Sequence, residues 1–109
     1  MSAAHCCLDN LTVVVDRNGF QQDGPTEGVL SVDIASLARS CMWNVIEVDG
    51  HNHEELLNAL TQSFSNGKPK CIVAKTVKGK GISFMENDNS WHHANMNEKQ
   101  YLQAKEELL

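Results

Sequence analysis

The chain has 109 residues, enough for one domain or part of one. Its 41% apolar content is ordinary for a globular protein, and no apolar run is long enough to cross a bilayer. The formal net charge of -5 argues against nucleic acid as a partner, and the one basic cluster, Lys75, Lys78 and Lys80, is short and has no aromatic residue among its members.

In chain order, residues 1–8 (Met-Ser-Ala-Ala-His-Cys-Cys-Leu) read as the last turns of a helix. They lack the basic segment and continuous apolar stretch of a signal peptide, so a cytoplasmic location is expected. Leu11–Val15 is a continuous β-branched run, as in a strand covered on both faces, and it ends in the turn Asp16-Arg-Asn18-Gly19. Ser31–Cys41 predicts a helix capped by Ser31, with Ile34, Leu37, Ala38 and Cys41 on one face. Trp43–Val48 predicts a second strand. Asn52–Phe64 predicts a helix whose start pairs Asn52 with Glu55 and whose apolar face is Leu56, Leu57, Leu60 and Phe64. Cys71–Thr76 predicts a third strand, continuous and β-branched like the first. Residues 77–96 form a long Gly/Asn/His-rich stretch, and loops of that length in a compact domain are usually functional or mobile. Asn97–Leu108 predicts a last helix, with Asn97 and Gln100 at its start and Tyr101, Ala104 and Leu108 on one face.

Strands alternating with helices imply βαβ units and a parallel sheet. Three strands leave such a sheet little interior and open edges, so the chain is expected to bury apolar surface against a copy of itself or a complementing subunit. The four cysteines, Cys6, Cys7, Cys41 and Cys71, show no CxxC spacing and read as reduced structural thiols, with disulfides or zinc as the minority reading.

In a parallel sheet all strand C-termini point the same way. Asp16-Arg-Asn18-Gly19, Asp49-Gly-His51-Asn-His53 and Lys75-Thr-Val-Lys78-Gly-Lys80-Gly81 should therefore gather on one edge, where open α/β sheets bind ligands. The competing reading is plain turn chemistry, since Asp-Gly and Asn-Gly are common turn formers. Asn18 suits a hard divalent cation, which takes oxygen ligands and commonly shares them with phosphate. Lys78-Gly-Lys-Gly81 offers amides and ammonium groups to a phosphate, although it is not a Walker loop. His92 and His93 are candidates for polarising an oxyanion or contacting phosphate, or are simply solvated, whereas His51 and His53 read as turn and capping residues. A metal-binding regulator built on these four histidines is a remote alternative.

Four segments, taken together, resemble a known family. They are Leu8-Asp-Asn-Leu-Thr-Val-Val-Val-Asp-Arg-Asn-Gly-Phe-Gln-Gln-Asp-Gly24, Trp43-Asn-Val-Ile-Glu-Val-Asp-Gly-His51, Ala74-Lys-Thr-Val-Lys-Gly-Lys-Gly-Ile-Ser-Phe-Met-Glu-Asn87 and Trp91-His92. They resemble the thiamine-diphosphate-binding half of transketolases, most of all the N-terminal subunit of split transketolases. The resemblance implies a partial α/β three-layer parallel-sheet fold, with residues 1–109 forming the C-terminal portion of a diphosphate-binding domain. It implies that Asn18 and the Phe20 carbonyl ligate Mg2+ (or Ca2+) on thiamine diphosphate, and that His92 contacts the diphosphate or substrate. The family's glycine after that histidine is here His93, which removes backbone freedom.

The family's Gly-Asp-Gly carboxylate lies farther upstream of the Asn than the seventeen residues preceding Asn18, and no such tripeptide occurs here. The resemblance thus implies an internal start at Met1. The glutamate that activates the cofactor's aminopyrimidine belongs to a separate pyrimidine-binding domain. The implied reaction is two-carbon ketol transfer between sugar phosphates, with the cofactor bound only beside a complementing chain and the isolated chain inactive. The alternatives are a non-catalytic protein that pairs through its truncated edge, and a fragment of an enzyme like deoxyxylulose-phosphate synthase.

Overall fold

A computed structural model describes all 109 residues. Strands β1 (Thr12–Arg17), β4 (Asn44–Asp49) and β5 (Lys70–Lys75) form a parallel sheet in the order β1-β5-β4. The remaining elements are α1 (Ser2–His5), a hairpin of β2 (Phe20–Gln21) and β3 (Gly24–Pro25), α2 (Thr26–Val29), α3 (Ile34–Ser40), α4 (His53–Thr61) and α5 (Glu98–Glu107). A single 3-10 turn covers Asn89–His92. Contacts divide the chain into two units, one of Met1–Arg17 and Val32–Thr76, the other of Asn18–Ser31 and Val77–Leu109.

In the first unit β5 is the centre of the sheet, with Lys70 to Ala74 all buried. Side chains alternate along a strand. Cys71 and Val73 take one face, where Ala35, Ile34 and Ala38 of α3 pack with Val15, Trp43 and Val45. Ile72, with no exposure, and Ala74 take the other face, and α4 packs on β4 and β5 with Ala59 buried. Helices on both faces make this a three-layer α/β arrangement. Lys70 is buried without a carboxylate partner. Its ammonium donates to the carbonyls of Ala59 (2.8 Å), Leu60 (2.8 Å) and Gln62 (3.0 Å), which close the C-terminal turn of α4. A cation at a helix C-terminus meets both the unpaired carbonyls and the negative end of the dipole.

Several sequence expectations need correction. Strand β1 is not covered on both faces: Val13 and Val14 are 38% and 53% exposed, because β5 flanks only one side of β1 and few helical residues reach it. On α3 the buried position is Ala35 rather than Leu37, and the cap is Asp33, whose carboxylate accepts the Ser36 amide, rather than Ser31. Leu57 and Leu60 of α4 are exposed, and Phe64 lies beyond the helix end. In the second unit Tyr101 and Leu108 are exposed, leaving Ala104 as the buried residue of α5. The reason is common to all three helices. Short helices make contact through their small residues, which allow close approach, and the bulky neighbours lie to the side.

The two expected caps on Asn form. Asn97 and Gln100 make a reciprocal capping box, while at α4 Asn52 accepts the amides of Glu54 and Glu55. The Glu55 carboxylate accepts the Asn52 side-chain amide on one oxygen (3.1 Å) and the Asp49 amide on the other (2.8 Å), tying the α4 start to the end of β4. The cysteines are all free, and burial raises the Cys71 thiol above its ordinary value. No helix is long and apolar enough to cross a membrane.

Candidate functional site

The strand register aligns Arg17, Lys75 and Asp49 at the C-terminal edge of the sheet. The chain segments beyond them stay side by side. Thr76 N donates to Arg17 O (3.2 Å) and Gly50 N donates to Lys75 O (2.8 Å). The Thr76 hydroxyl donates to the Asp16 carboxylate. A Cβ on Gly50 would lie 2.4 Å from Thr76 Cγ2, so glycine is required for β4 and β5 to end this close together. This edge is where the topology rule places ligands. Asp16, with one oxygen committed to Thr76, closes the edge. At the β4 end His51 donates its amide to Asp49 Oδ1 (2.9 Å) and His53 opens α4, both exposed, which is turn chemistry.

In the second unit Asn18 begins a tight reversal. Its side-chain oxygen accepts the Phe20 amide (2.9 Å), Gly19 takes a φ of +80, and Gly19 O accepts the amide of Thr26 (2.9 Å). An Asn followed by Gly suits this turn because the amide replaces a backbone carbonyl and glycine accepts positive φ at no cost. The Asn18 oxygen keeps one lone pair beyond the turn bond. Across the hairpin Phe20 faces Pro25, which has no N–H to donate to the Phe20 carbonyl. Both Asn18 and Phe20 are half-buried.

His92 ends the 3-10 turn, exposed, with its ring edge-on to His93 at 4.6 Å between centroids. The turn is held from three directions. Asp88 is bonded by the Ser90 side chain and accepts the Ser90 amide, and the two together lower the Asp88 pKa. Trp91 Nε1 donates to Phe84 O (3.0 Å), with the two rings 5.3 Å apart. Asn89 Nδ2 donates to Gln22 O (3.2 Å), joining the turn that carries His92 to the hairpin that carries Asn18 and Phe20. Residue 93 has a φ of -134, open to any amino acid, so His93 needs no glycine-like backbone.

In the Lys78–Gly81 loop, Glu86 engages two of the groups that could meet a phosphate. Gly81 N donates to the Glu86 carboxylate (3.0 Å), and Lys80 Nζ lies 3.5 Å from the same oxygen. Gly79, at a φ of +71, is pressed against the Met85 carbonyl, where a Cβ would lie at 2.4 Å. The histidine-regulator reading also lacks its donor set, since no three His, Cys, Asp or Glu side chains are grouped to hold a metal.

The β2–β3 hairpin, α2 and the Asn89 bond to Gln22 go beyond what the sequence pattern predicts. Gln22-Asp23 ahead of Gly24-Pro25 was the available turn signal for the hairpin.

A parallel three-stranded sheet with helices on both faces defines an α/β domain. The family of the transketolase thiamine diphosphate binding domain matches residues 1–108, and the chain belongs to it. It is 35% identical over 103 residues to one of the apulose-4-phosphate transketolase subunits of Phocaeicola vulgatus, covering 93% of this chain and 37% of that protein. A 6-deoxy-6-sulfo-D-fructose transketolase subunit from a Clostridium species is likewise 35% identical over 103 residues, with 38% of its length covered. The crystal structure of Campylobacter jejuni transketolase superimposes with a TM-score of 0.88 at 28% identity, over 96% of this chain and 17% of that one. The chain therefore spans well under half the length of these relatives.

Proposed function

We propose that the chain is the C-terminal portion of a transketolase diphosphate-binding domain and shares in holding Mg2+ (or Ca2+) on thiamine diphosphate. The Asn18 turn carries this reading: it presents an amide oxygen with a spare lone pair and, two residues on, a carbonyl facing a proline. Two neutral oxygens suit a hard cation in kind but leave its charge unbalanced, so the diphosphate and a carboxylate from outside the turn must supply the rest. In this reading Asn18 and Phe20 are the chain's metal ligands and His92 contacts the diphosphate or the substrate. Bound, the cofactor supplies the carbanion chemistry for moving a two-carbon ketol unit between sugar phosphates. The chain's residues orient and anchor it, in the cytoplasm and beside a pyrimidine-binding subunit. The Phocaeicola and Clostridium relatives are both named as subunits, which supports a partner.

Isothermal titration of thiamine diphosphate with Mg2+ tests the proposal. The isolated chain should bind neither tightly nor turn over, and mixing with a pyrimidine-binding transketolase subunit should bring both binding and activity. In that mixture Asn18→Ala should weaken cofactor binding by at least about tenfold. Tight binding by the chain alone would overturn the shared site, and undiminished binding by Asn18→Ala would remove Asn18 from it.

The exposed Val13 and Val14 support a second reading, a non-catalytic protein that pairs with itself or with a full-length subunit. Sedimentation of the purified chain as a well-folded monomer at all concentrations would sink it.

A further inference from the structure

Two Asn-Gly steps occur in the chain, Asn18-Gly19 and Asn66-Gly67. At such a step the following backbone nitrogen can reach the asparagine's side-chain carbonyl carbon, because glycine has no Cβ in the way and the freest backbone. The two steps are alike in local shape. At each, the side-chain oxygen accepts the amide two residues on, Phe20 N at 2.9 Å and Lys68 N at 3.1 Å. Gly19 and Gly67 have φ of +80 and +66, and neither has an atom within 4 Å of where a Cβ would lie.

They differ at the amide nitrogen. Asn66 Nδ2 donates to Asn44 Oδ1 at 2.7 Å, and Asn44 Nδ2 returns a bond to Asn66 Oδ1 at 2.9 Å. That reciprocal pair fixes the Asn66 amide plane, and loss of the nitrogen would break it. The Asn18 amide is held only through its oxygen.

We infer that Asn18 is a spontaneous deamidation site in the folded chain, and that Asn44 protects Asn66 from the same reaction. The Gly19 nitrogen forms a bond to Asn18 Cγ, the Cγ–Nδ2 bond breaks, and ammonia leaves with the proton from Gly19 N. Solvent water then opens the five-membered imide at one carbonyl to give aspartate or at the other to give isoaspartate. The Phe20 N–H already donates to the oxygen on which negative charge develops during attack, which favours this step. The functional consequence rests on the proposed metal-ligand role of Asn18. An amide oxygen becomes a carboxylate at the cation, and the isoaspartate product also adds a main-chain carbon before Gly19, shifting the Phe20 carbonyl.

The test needs neither metal nor cofactor. The full chain is incubated at mildly alkaline pH, digested with trypsin and mapped by mass spectrometry; cleavage at Arg39 puts the two steps in different peptides. In the folded chain Asn18 should convert about tenfold faster than Asn66, the factor that the net worth of about one hydrogen bond corresponds to. In concentrated urea the two rates should come within about twofold of each other, because only the native amide pair separates them. Asn44→Ala should speed Asn66 toward the Asn18 rate and leave Asn18 unchanged. Equal rates in the folded chain, or a faster Asn66, would overturn the inference whatever the chain does with thiamine diphosphate. Should Asn44→Ala not fold, the native-versus-urea comparison still decides.

Discussion

In the first unit the centre of β5 is closed off from water, with Ile72 fully buried and Cys71, Val73 and Ala74 nearly so, whereas in the second unit Ala104 is the one buried hydrophobic residue. The second unit is fixed instead by polar side chains on backbone: Asn18 on Phe20, Asp88 on Ser90, Trp91 on Phe84, Asn89 on Gln22 and Glu107 on Ser83. Burial is non-directional and tolerates approximate fits, while a hydrogen bond fixes an atom's position but adds little net stability. The sheet unit is therefore the stable platform, and the unit with the candidate ligands Asn18, Phe20 and His92 is positioned in detail but weakly secured.

That contrast sets the order of expected effects. Ile72→Ala should cost about 2–5 kcal/mol, seen as a fall in the urea midpoint of the whole chain, because it opens a cavity at the sheet centre. A loss below about 0.5 kcal/mol would mean that β5 is not the stabilising centre. Lys70→Met keeps the aliphatic stem but leaves three carbonyls at the end of α4 without their donor. It should cost about 1–3 kcal/mol and speed amide exchange in the last turn of α4 before the rest of the unit. Uniform acceleration across both units would show that the contact is not local. Trp91→Phe retains the aromatic pair with Phe84 and deletes one hydrogen bond, at about 1 kcal/mol. Exchange should rise around residues 84–93 and hold steady in β5, and the reverse pattern would erase the distinction between the units.

The smallest effect is a pH response. Bonds from the Ser83 amide, the Gln103 amide and the Ser83 hydroxyl hold the Glu107 pKa below its ordinary value. The unfolded chain then takes up this proton at higher pH than the folded one. The stabilisation is accordingly complete above the ordinary value and is lost as pH falls through the lowered folded value. Asp88 behaves in the same direction through Ser90, and in the first unit Asp33 does so through Ser36. With two such groups against one, the second unit should lose exchange protection first on acidification, and Glu107→Gln should flatten part of its response. Simultaneous loss in both units would contradict this.

The strands and the two Asn-capped helices are readable in the sequence because their signals are local: β-branched runs, and Asn three residues ahead of Glu or Gln. The buried faces are not, because helical spacing shows which residues share a side but not how far the sheet beneath extends. On three strands, Ala35 and Ala59 reach the core, while Leu37 and Leu57 overhang it. At the candidate site, Asn18 and His92 stand out by residue type and by resemblance. Glu86 closing over Lys80 and Gly81, and Asn89 reaching Gln22 across 67 residues of chain, depend on tertiary placement that no periodicity encodes.

The two outer strands of the sheet carry different protection against association. The β4 edge displays Glu47 and Asp49, charges that repel a second strand, while Thr12 to Val15 on β1 is uncharged and free of proline. An uncharged, β-branched stretch with exposed valines is a template on which identical chains add as further strands. It sets a concentration ceiling for the isolated polypeptide, above which light scattering should climb with time. Val14→Lys should raise that ceiling, and its failure to do so would move the sticky surface elsewhere.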